Sequence, residues 1–171
     1  IENQAKELLD TYHIDSINGV DVIKLAKEMG FIVGNISLDD NEDGFVLVNE
    51  SKKGIPGLDS KKIIGINRNR TPEDKMFIIA HELGHYHLRE NPQETIFAHR
   101  EQKKGKSDRE NEIDYFAACL LMPTSSFIKR YNSLKSVYDD NTDALIDELS
   151  YIFGVPIECV RRRIIETGVN Q

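Results

Sequence analysis

Apolar positions recur at helical spacing over both ends of the chain, and they form short continuous runs near its middle. The helical spacing predicts helices over residues 1–13, 20–29, 72–88, 108–122, 125–131, 144–153 and 157–167. The short runs predict strands over residues 31–33, 45–48 and 63–67. Between the predicted helices at 72–88 and 108–122, residues 90–107 are polar and show no apolar period, so we expect a long exposed loop there.

The order of these elements indicates the fold class. Helices come first, a group of strands follows, and helices close the chain, which is typical of an α+β protein. The strands follow one another too closely for helical crossovers, so we expect a small antiparallel or mixed sheet packed against the helix at 72–88. With 171 residues and 39% hydrophobic content, the chain is expected to form one domain over 1–171. Within it, 1–140 would hold the sheet and the main helices, and 141–171 a C-terminal helical hairpin.

The helix predicted at 72–88 carries the run His81-Glu82-Leu83-Gly84-His85, which has the form H-E-x-x-H. Two histidines four residues apart lie about 40° apart around a helix and about 6 Å apart along it. One tetrahedral zinc ion can therefore take both imidazoles. Glu82 stands next to the first histidine, where a general base is needed to activate water. The run predicts a catalytic zinc (Zn²⁺) site.

A catalytic zinc site of this kind needs a third protein ligand. Asn91 stands where a longer three-histidine pattern would place a histidine, so that pattern is excluded. Glu110 and Asp114 share one face of the helix at 108–122. We expect Glu110 to be the third ligand and Asp114 to accept a hydrogen bond from the free ring nitrogen of a zinc histidine. Glu112 is the rival ligand, although it points about 160° away from Asp114.

Two motifs together resemble the ImmA/IrrE family of metallopeptidases. They are H-E-L-G-H at 81–85 and E-x-x-x-D-Y-F-A-A-C-L-L-M-P at 110–123. The resemblance implies a zinc-dependent endopeptidase whose metal is bound by His81, His85 and Glu110, with Glu82 as the catalytic base. The family more often has Asn where this chain has Asp114, and a carboxylate there resembles the corresponding aspartate of thermolysin-like enzymes.

The same resemblance implies a partner. Substrates in the family are typically helix-turn-helix repressors of mobile elements or stress regulons, so a repressor encoded nearby is the expected protein substrate. Within the site, the edge of a strand at 45–48 or 63–67 would hold the substrate extended. Candidate donors to the reaction's oxyanion are the tyrosines, each of which we interpret first as a packing residue: Tyr12, Tyr86, Tyr115, Tyr131, Tyr138 and Tyr151.

The C-terminal segment offers a rival interpretation. Gly154 separates two short predicted helices, and Arg161, Arg162 and Arg163 lie on the second, as in a helix-turn-helix. We favour instead a helical hairpin that closes the core, with arginines in water or paired to acids, because the chain has a net charge of −7. Direct nucleic-acid binding is therefore not expected.

A non-catalytic regulatory module, binding protein or DNA and carrying a structural or silent zinc site, is the second functional hypothesis. The intact Glu82 and the lack of an evident fourth ligand favour the peptidase. Cys119 and Cys159 are too few for a disulfide framework and lie in apolar segments, which indicates a reducing compartment. No apolar run approaches the roughly 18 residues of a membrane span, and no signal-peptide pattern opens the chain. We expect a cytoplasmic protein.

Overall fold

The structure, a computed structural model, describes residues 1–49, 57, 61–90, 96–101, 107–138 and 141–170. Within these residues the helices are α1 (Glu2–Thr11), α2 (Val22–Glu28), α3 (Pro72–His87), α4 (Asp108–Leu121), α5 (Thr124–Tyr138), α6 (Thr142–Phe153) and α7 (Ile157–Thr167). The strands are β1 (Ile32–Ile36), β2 (Glu42–Val48), β3 (Lys62–Asn67) and β4 (Ile96–Glu101). The predicted α+β class is confirmed.

The four strands form one mixed sheet in the order β1-β3-β2-β4. β3 runs parallel to β1 and antiparallel to β2, and β4 pairs antiparallel with β2. Since β2 and β3 both lie inside the sheet, the expectation that residues 45–48 or 63–67 offer a free edge is wrong. In the described part of the chain, β1 and β4 are the edges.

Strand β4 lies within the segment that was expected to be an exposed loop, so this expectation is wrong for residues 96–101. Ile96 pairs with Val48 and Phe97 with Leu47 across the ladder. The strand has only a short apolar run of its own, and its backbone bonds come from a distant partner, β2. Residues 91–95 and 102–106, the rest of that expectation, lie outside the described residues, as does most of the predicted turn at 53–57.

Helix α5 extends seven residues beyond the end predicted at residue 131, to Tyr138. Phe127 and Tyr131 are buried, and Leu134 and Tyr138 pack against the same core. These four positions continue one helical face over three turns, so the helix gains burial by continuing. The other helices lie within a few residues of their predicted bounds.

Helix α3 lies between the sheet and α4. It begins as predicted at Thr71, whose hydroxyl oxygen accepts a hydrogen bond from the Asp74 amide at 3.1 Å. Gly84 allows the close approach of α4, because a side-chain carbon added there would lie 2.9 Å from the Ile113 side chain and 3.2 Å from the Phe116 ring. The glycine of H-E-L-G-H therefore sets the spacing of the two helices.

Helices α6 and α7 form the hairpin that was predicted to close the core. Gly154 ends α6 in the left-handed conformation, with φ of +62°, which favours glycine. Leu149, Phe153 and Val160 are buried, and the Phe153 ring packs on Phe127 of α5 at 5.6 Å between centroids. None of the described helices has both the length and the apolar character needed to cross a membrane.

The three consecutive arginines of α7 all face carboxylates. Arg161 approaches Asp143 at 3.3 Å, and Arg162 approaches Glu166 at 2.7 Å. The arginines were expected to be solvated or paired with acids. Arg163 is paired with Glu166 at 3.3 Å, but its burial, with only 1% exposed, was not expected. Its position follows from the helical period, which puts residue 163 on the same face as the buried Val160.

Arg163 anchors α7 to the junction between α4 and α5. Its Nε donates to the Met122 carbonyl oxygen at 3.0 Å, its Nη2 to Thr124 Oγ1 at 2.6 Å, and its Nη1 to Glu166 Oε2 at 3.3 Å. The guanidinium also lies 5.9 Å from the centre of the Tyr115 ring. These contacts fix the C-terminal end of α4 to the hairpin.

Replacing Arg163 with Met should lower the free energy of unfolding by about 3 kcal/mol. The substitution keeps a long apolar side chain but leaves the buried Met122 carbonyl without its donor. Chemical denaturation monitored by circular dichroism measures the change. Arg161→Met is the matched control, because this arginine is 46% exposed and should cost less than about 0.5 kcal/mol. Equal losses in the two variants would contradict the anchoring role.

Candidate metal centre

The two histidines of H-E-L-G-H lie one turn apart on the side of α3 that faces α4. His81 is fully buried, and the His85 side chain is 15% exposed. Their ring centroids are 4.9 Å apart. Both rings therefore converge on one region between the helices, as the spacing predicts.

Helix α4 brings Glu110 to the same region. The Ser107 hydroxyl caps the helix by accepting a hydrogen bond from the Glu110 amide at 3.2 Å, which places Glu110 in the first turn. Glu110 Oε2 lies 3.3 Å from His81 Nε2, and Oε1 lies 3.6 Å from His85 Nε2. The chosen candidate for the third ligand thus contacts both histidines.

The geometry of this group fits a metal ion. The candidate ligand atoms of His81, His85 and Glu110 all lie within 4.8 Å of one another. Ligand atoms about 2.1 Å from one tetrahedral ion lie about 3.4 Å from each other, close to the two distances from Glu110 to the imidazoles. Two imidazoles and one carboxylate also form a donor set found in catalytic metal sites. The group can hold a metal ion, and with three ligands among the described residues it would leave a fourth position for water.

The charge state of Glu110 suits this role. A hydrogen bond to His81 lowers the pKa of the carboxyl group, and this effect, aided by the nearby His85, outweighs the opposing effect of burial. Glu110 is therefore the anion needed to compensate a cation. A carboxylate in the first turn of α4 is also stabilised by the positive end of the helix dipole.

Asp114 contacts the other nitrogen of the His81 ring. Its Oδ1 lies 2.8 Å from His81 Nδ1, and both side chains are buried. With the Nδ1 proton donated to Asp114, the Nε2 lone pair is directed to the side where Glu110 lies. The structure thus brings Asp114 into the position that the sequence predicts for a carboxylate that orients a ligating histidine.

Two further glutamates differ in their surroundings. Glu82 follows His81 on α3 and is fully buried. Glu112, the rival third ligand, has a side chain that is 55% exposed and forms an ion pair with Arg109 at 3.3 Å. Glu112 therefore points away from the histidines, and the structure favours Glu110 as the residue nearest to them.

Other polar residues near the motif have packing contacts. The Tyr86 hydroxyl accepts a hydrogen bond from Lys62 at 2.6 Å. Burial raises the Tyr86 pKa, but the Lys62 and Arg89 contacts outweigh it, so the pKa is lowered overall. The His87 ring stacks on Phe116 at 5.3 Å, and burial lowers its pKa. Tyr151, another candidate oxyanion donor, is 84% exposed on α6.

A cavity of about 380 Å³ adjoins the site and was missed by the sequence interpretation. Phe77 of α3 and Ala118 of α4 line it, and Pro156 and Cys159 at the start of α7 form its far wall. Phe77 lies one turn before His81, and Ala118 lies one turn after Asp114. The helical period alone therefore places these two lining residues next to the site. The contribution of α7 depends on tertiary packing and has no local signature.

Comparisons with known proteins agree with this architecture. The model of peptidase family M78, described as an IrrE N-terminal-like domain, matches residues 25–164. A solved structure of a Mycobacterium tuberculosis transcriptional regulator is similar, with a TM-score of 0.56 and 20% sequence identity over 95% of this chain. The chain covers only 46% of that regulator, less than half of its length. No curated protein gives a significant sequence match. At this identity, the structural similarity concerns the fold.

Proposed function

Because the chain belongs to peptidase family M78, whose domains are IrrE N-terminal-like, we propose that it is a zinc-dependent endopeptidase that cleaves a protein substrate. One observation carries the proposal: the candidate ligand atoms of His81, His85 and Glu110 lie within 4.8 Å of one another. The buried Glu82 adjoins them on α3. This combination supplies three ligands and a base, as a hydrolytic metal site requires.

Each residue has a distinct role in the proposed reaction. The bound zinc ion would supply Lewis acidity, which polarises the scissile carbonyl and acidifies water. Glu82 takes the proton from the attacking water and passes it to the leaving amine. Asp114 holds the His81 ring in one tautomer and orientation through the 2.8 Å contact at Nδ1. Glu110 compensates the positive charge of the centre.

Strand β4 is the best-supported binding edge for an extended substrate. It contacts α3 and, among the described residues, pairs with β2 on one side. Its outer backbone groups could bond to a peptide as an added strand. This edge replaces the interior strands considered from the sequence alone.

We infer that the substrate is a helix-turn-helix transcriptional repressor. The ImmA/IrrE resemblance of the two motifs supports this choice, and the transcriptional regulator with a similar fold fits a role in gene control. The net charge of −7 also favours association with a basic, DNA-binding protein over direct contact with DNA. Such an enzyme acts in the cytoplasm, where its substrate binds DNA.

A regulatory binding module with a structural metal site is less well supported. Structural zinc sites are usually closed by four protein ligands, whereas the group found among the described residues comprises three. A purely structural site also has no use for a glutamate placed as Glu82 is. We therefore retain the peptidase as the proposed function.

Removal and return of the metal test the proposal. The protein is dialysed against a chelator, and one half is restored with zinc before both halves are incubated with the repressor encoded beside it. We expect fragments from the zinc-restored half alone, because Glu82 needs the Lewis acid to activate water. Mass spectrometry of the fragments gives the cleavage site. An intact repressor with the restored protein, or equal cleavage by both halves, would contradict the proposal.

A further inference from the structure

The 380 Å³ cavity shares one residue, Asp114, with the metal-binding group, because Asp114 lines the cavity and contacts His81. On α3, Phe77 lies four residues before His81, and Asp74 lies three residues before Phe77, so these side chains form one stripe with the histidines. On α4, Ala118 lies four residues after Asp114, which lines the cavity and also contacts His81. The cavity is therefore lined by the same two helices that carry the proposed active site.

The distance along α3 relates the cavity to the substrate. At 1.5 Å per residue, Phe77 lies about 6 Å and Asp74 about 10 Å along the axis from His81. An extended peptide covers these distances in two or three residues. A substrate that ran along α3 would therefore place a side chain two or three positions from the scissile bond at the cavity. Its volume is within the range of small-molecule binding sites, which is about 300 to 1,000 Å³.

The lining of the cavity combines apolar and acidic residues. Phe77, Ala118 and Pro156 supply apolar surface. Asp74, in the first turn of α3, and Glu158, in the first turn of α7, supply carboxylates from different helices. The cavity thus offers apolar contact for a long side chain and negative charge for its end.

The other charged groups leave this negative character in place. Asp114 lines the cavity but its Oδ1 contacts His81 at 2.8 Å. Arg162 also lines the cavity, and Glu166 compensates its charge through an ion pair at 2.7 Å. Arg161 approaches Glu158 at 3.8 Å, but it lies closer to Asp143, at 3.3 Å. Among the lining residues, three carboxylates stand against one arginine, so the lining is negative overall.

We propose that this cavity binds a lysine or arginine side chain of the substrate, two or three residues from the cleaved bond. The inference rests on the proposed peptidase function and adds a determinant of its specificity. The aliphatic stem would pack on Phe77 and Pro156, and the cationic end would approach Asp74 and Glu158. The C-terminal hairpin then contributes directly to substrate selection through the first turn of α7.

Peptide binding to zinc-loaded Glu82→Gln protein tests the cavity independently of catalysis. The probes are fluorescent decapeptide pools of Ala, Gly, Ser and Leu with Lys, norleucine or Glu fixed at one central position. Norleucine has a similar stem without the charge. We expect the Lys pool to bind about fivefold more tightly than the norleucine pool, and the Glu pool to bind most weakly.

Two charge reversals in the zinc-loaded Glu82→Gln protein test whether the preference for the Lys pool arises in the cavity. Glu158→Lys should remove the preference for Lys over norleucine. Asp143→Lys is the matched control, because Asp143 is also an exposed first-turn acid that pairs with Arg161, but it belongs to α6 and does not line the cavity. This variant should keep the fivefold preference. Thermal melts of both variants check that the fold is retained, and Glu158→Gln provides a milder second variant.

Three results would overturn the inference: equal binding of the Lys and norleucine pools, no binding of any pool, or equal effects of Glu158→Lys and Asp143→Lys. These results are separate from a failure of the peptidase proposal. If the wild-type protein does not cleave the repressor while the Lys preference depends on Glu158, the peptidase function fails and the cavity remains a peptide-binding site. Cleavage of the repressor at a bond with no Lys or Arg two or three residues away would support the peptidase function and contradict the inference about the cavity.

Discussion

The Glu82→Gln protein is expected to cleave its substrate roughly 1,000-fold more slowly than the wild type. Glutamine has nearly the same shape as glutamate but cannot take the proton of the attacking water. Because His81, His85 and Glu110 are unchanged, the variant should still bind zinc at wild-type stoichiometry. Single-turnover cleavage of the repressor measures the rate, and elemental analysis measures the bound metal.

Glu73→Gln is the control for this experiment. Glu73 lies on the same helix, in its exposed first turn, and this change should leave the cleavage rate at the wild-type value. The combination of lost cleavage with retained metal separates a missing base from a missing ligand. A Glu82→Gln protein that processes the repressor at the wild-type rate would rule out Glu82 as the base.

The second large effect is expected in metal affinity. Glu110→Ala should weaken zinc binding on the order of 100-fold or more, because loss of a residue that only orients a ligand already costs 10- to 100-fold. The two imidazoles would remain without a charged ligand to compensate the ion. Competition with a chromophoric chelator at fixed pH gives the dissociation constants of the variant and the wild type.

Glu112→Ala distinguishes the two carboxylates considered from the sequence. Glu112 lies two residues away on the same helix and is exposed beside Arg109, so its removal should leave zinc affinity unchanged. The opposite pattern, with affinity lost in Glu112→Ala and kept in Glu110→Ala, would exchange their roles. Both variants change one acid near the start of α4, so effects on helix stability are matched.

The arrangement of the metal-binding group could be predicted because it depends on helical periodicity. Residues 81 and 85 must share a face of α3, and residues 110 and 114 must share a face of α4, whatever the rest of the chain does. The contact between the two helices needed one further inference, from the small and apolar residues on both faces. Gly84 against Ile113 and Phe116 is the packing that makes this contact close.

The sheet shows what periodicity cannot provide. The order β1-β3-β2-β4 depends on pairing between segments far apart in the chain. Strand β4 has a short apolar run, Ile96-Phe97-Ala98, within a polar segment, so its own residues do not distinguish it from a loop. An interior strand and an edge strand also have similar local sequences. For this reason residues 45–48 and 63–67 look like binding edges in the sequence, although β2 and β3 lie inside the sheet.

The burial of Arg163 is a second feature that was not predicted, for a different reason. Three consecutive arginines suggest a surface segment, yet the period of α7 places the middle of its apolar stripe at Val160, Arg163 and Ile164, all of which are buried. A charged residue on the apolar stripe of a helix is a signal for a buried polar anchor, and here its partners are a helix end and a carboxylate.

The anchoring of α4 by Arg163 has a consequence for how this protein can be divided. A polypeptide that stopped before α6 would expose Phe127 to water and would lose the donor to the Met122 carbonyl. The C-terminal thirty or so residues are therefore not a detachable appendage, even though they resemble a separate DNA-binding unit in sequence. Transplanting α3 and α4 into another scaffold would require carrying α7 with them, and a domain inserted between α5 and α6 would have to keep the contacts of Arg163 intact.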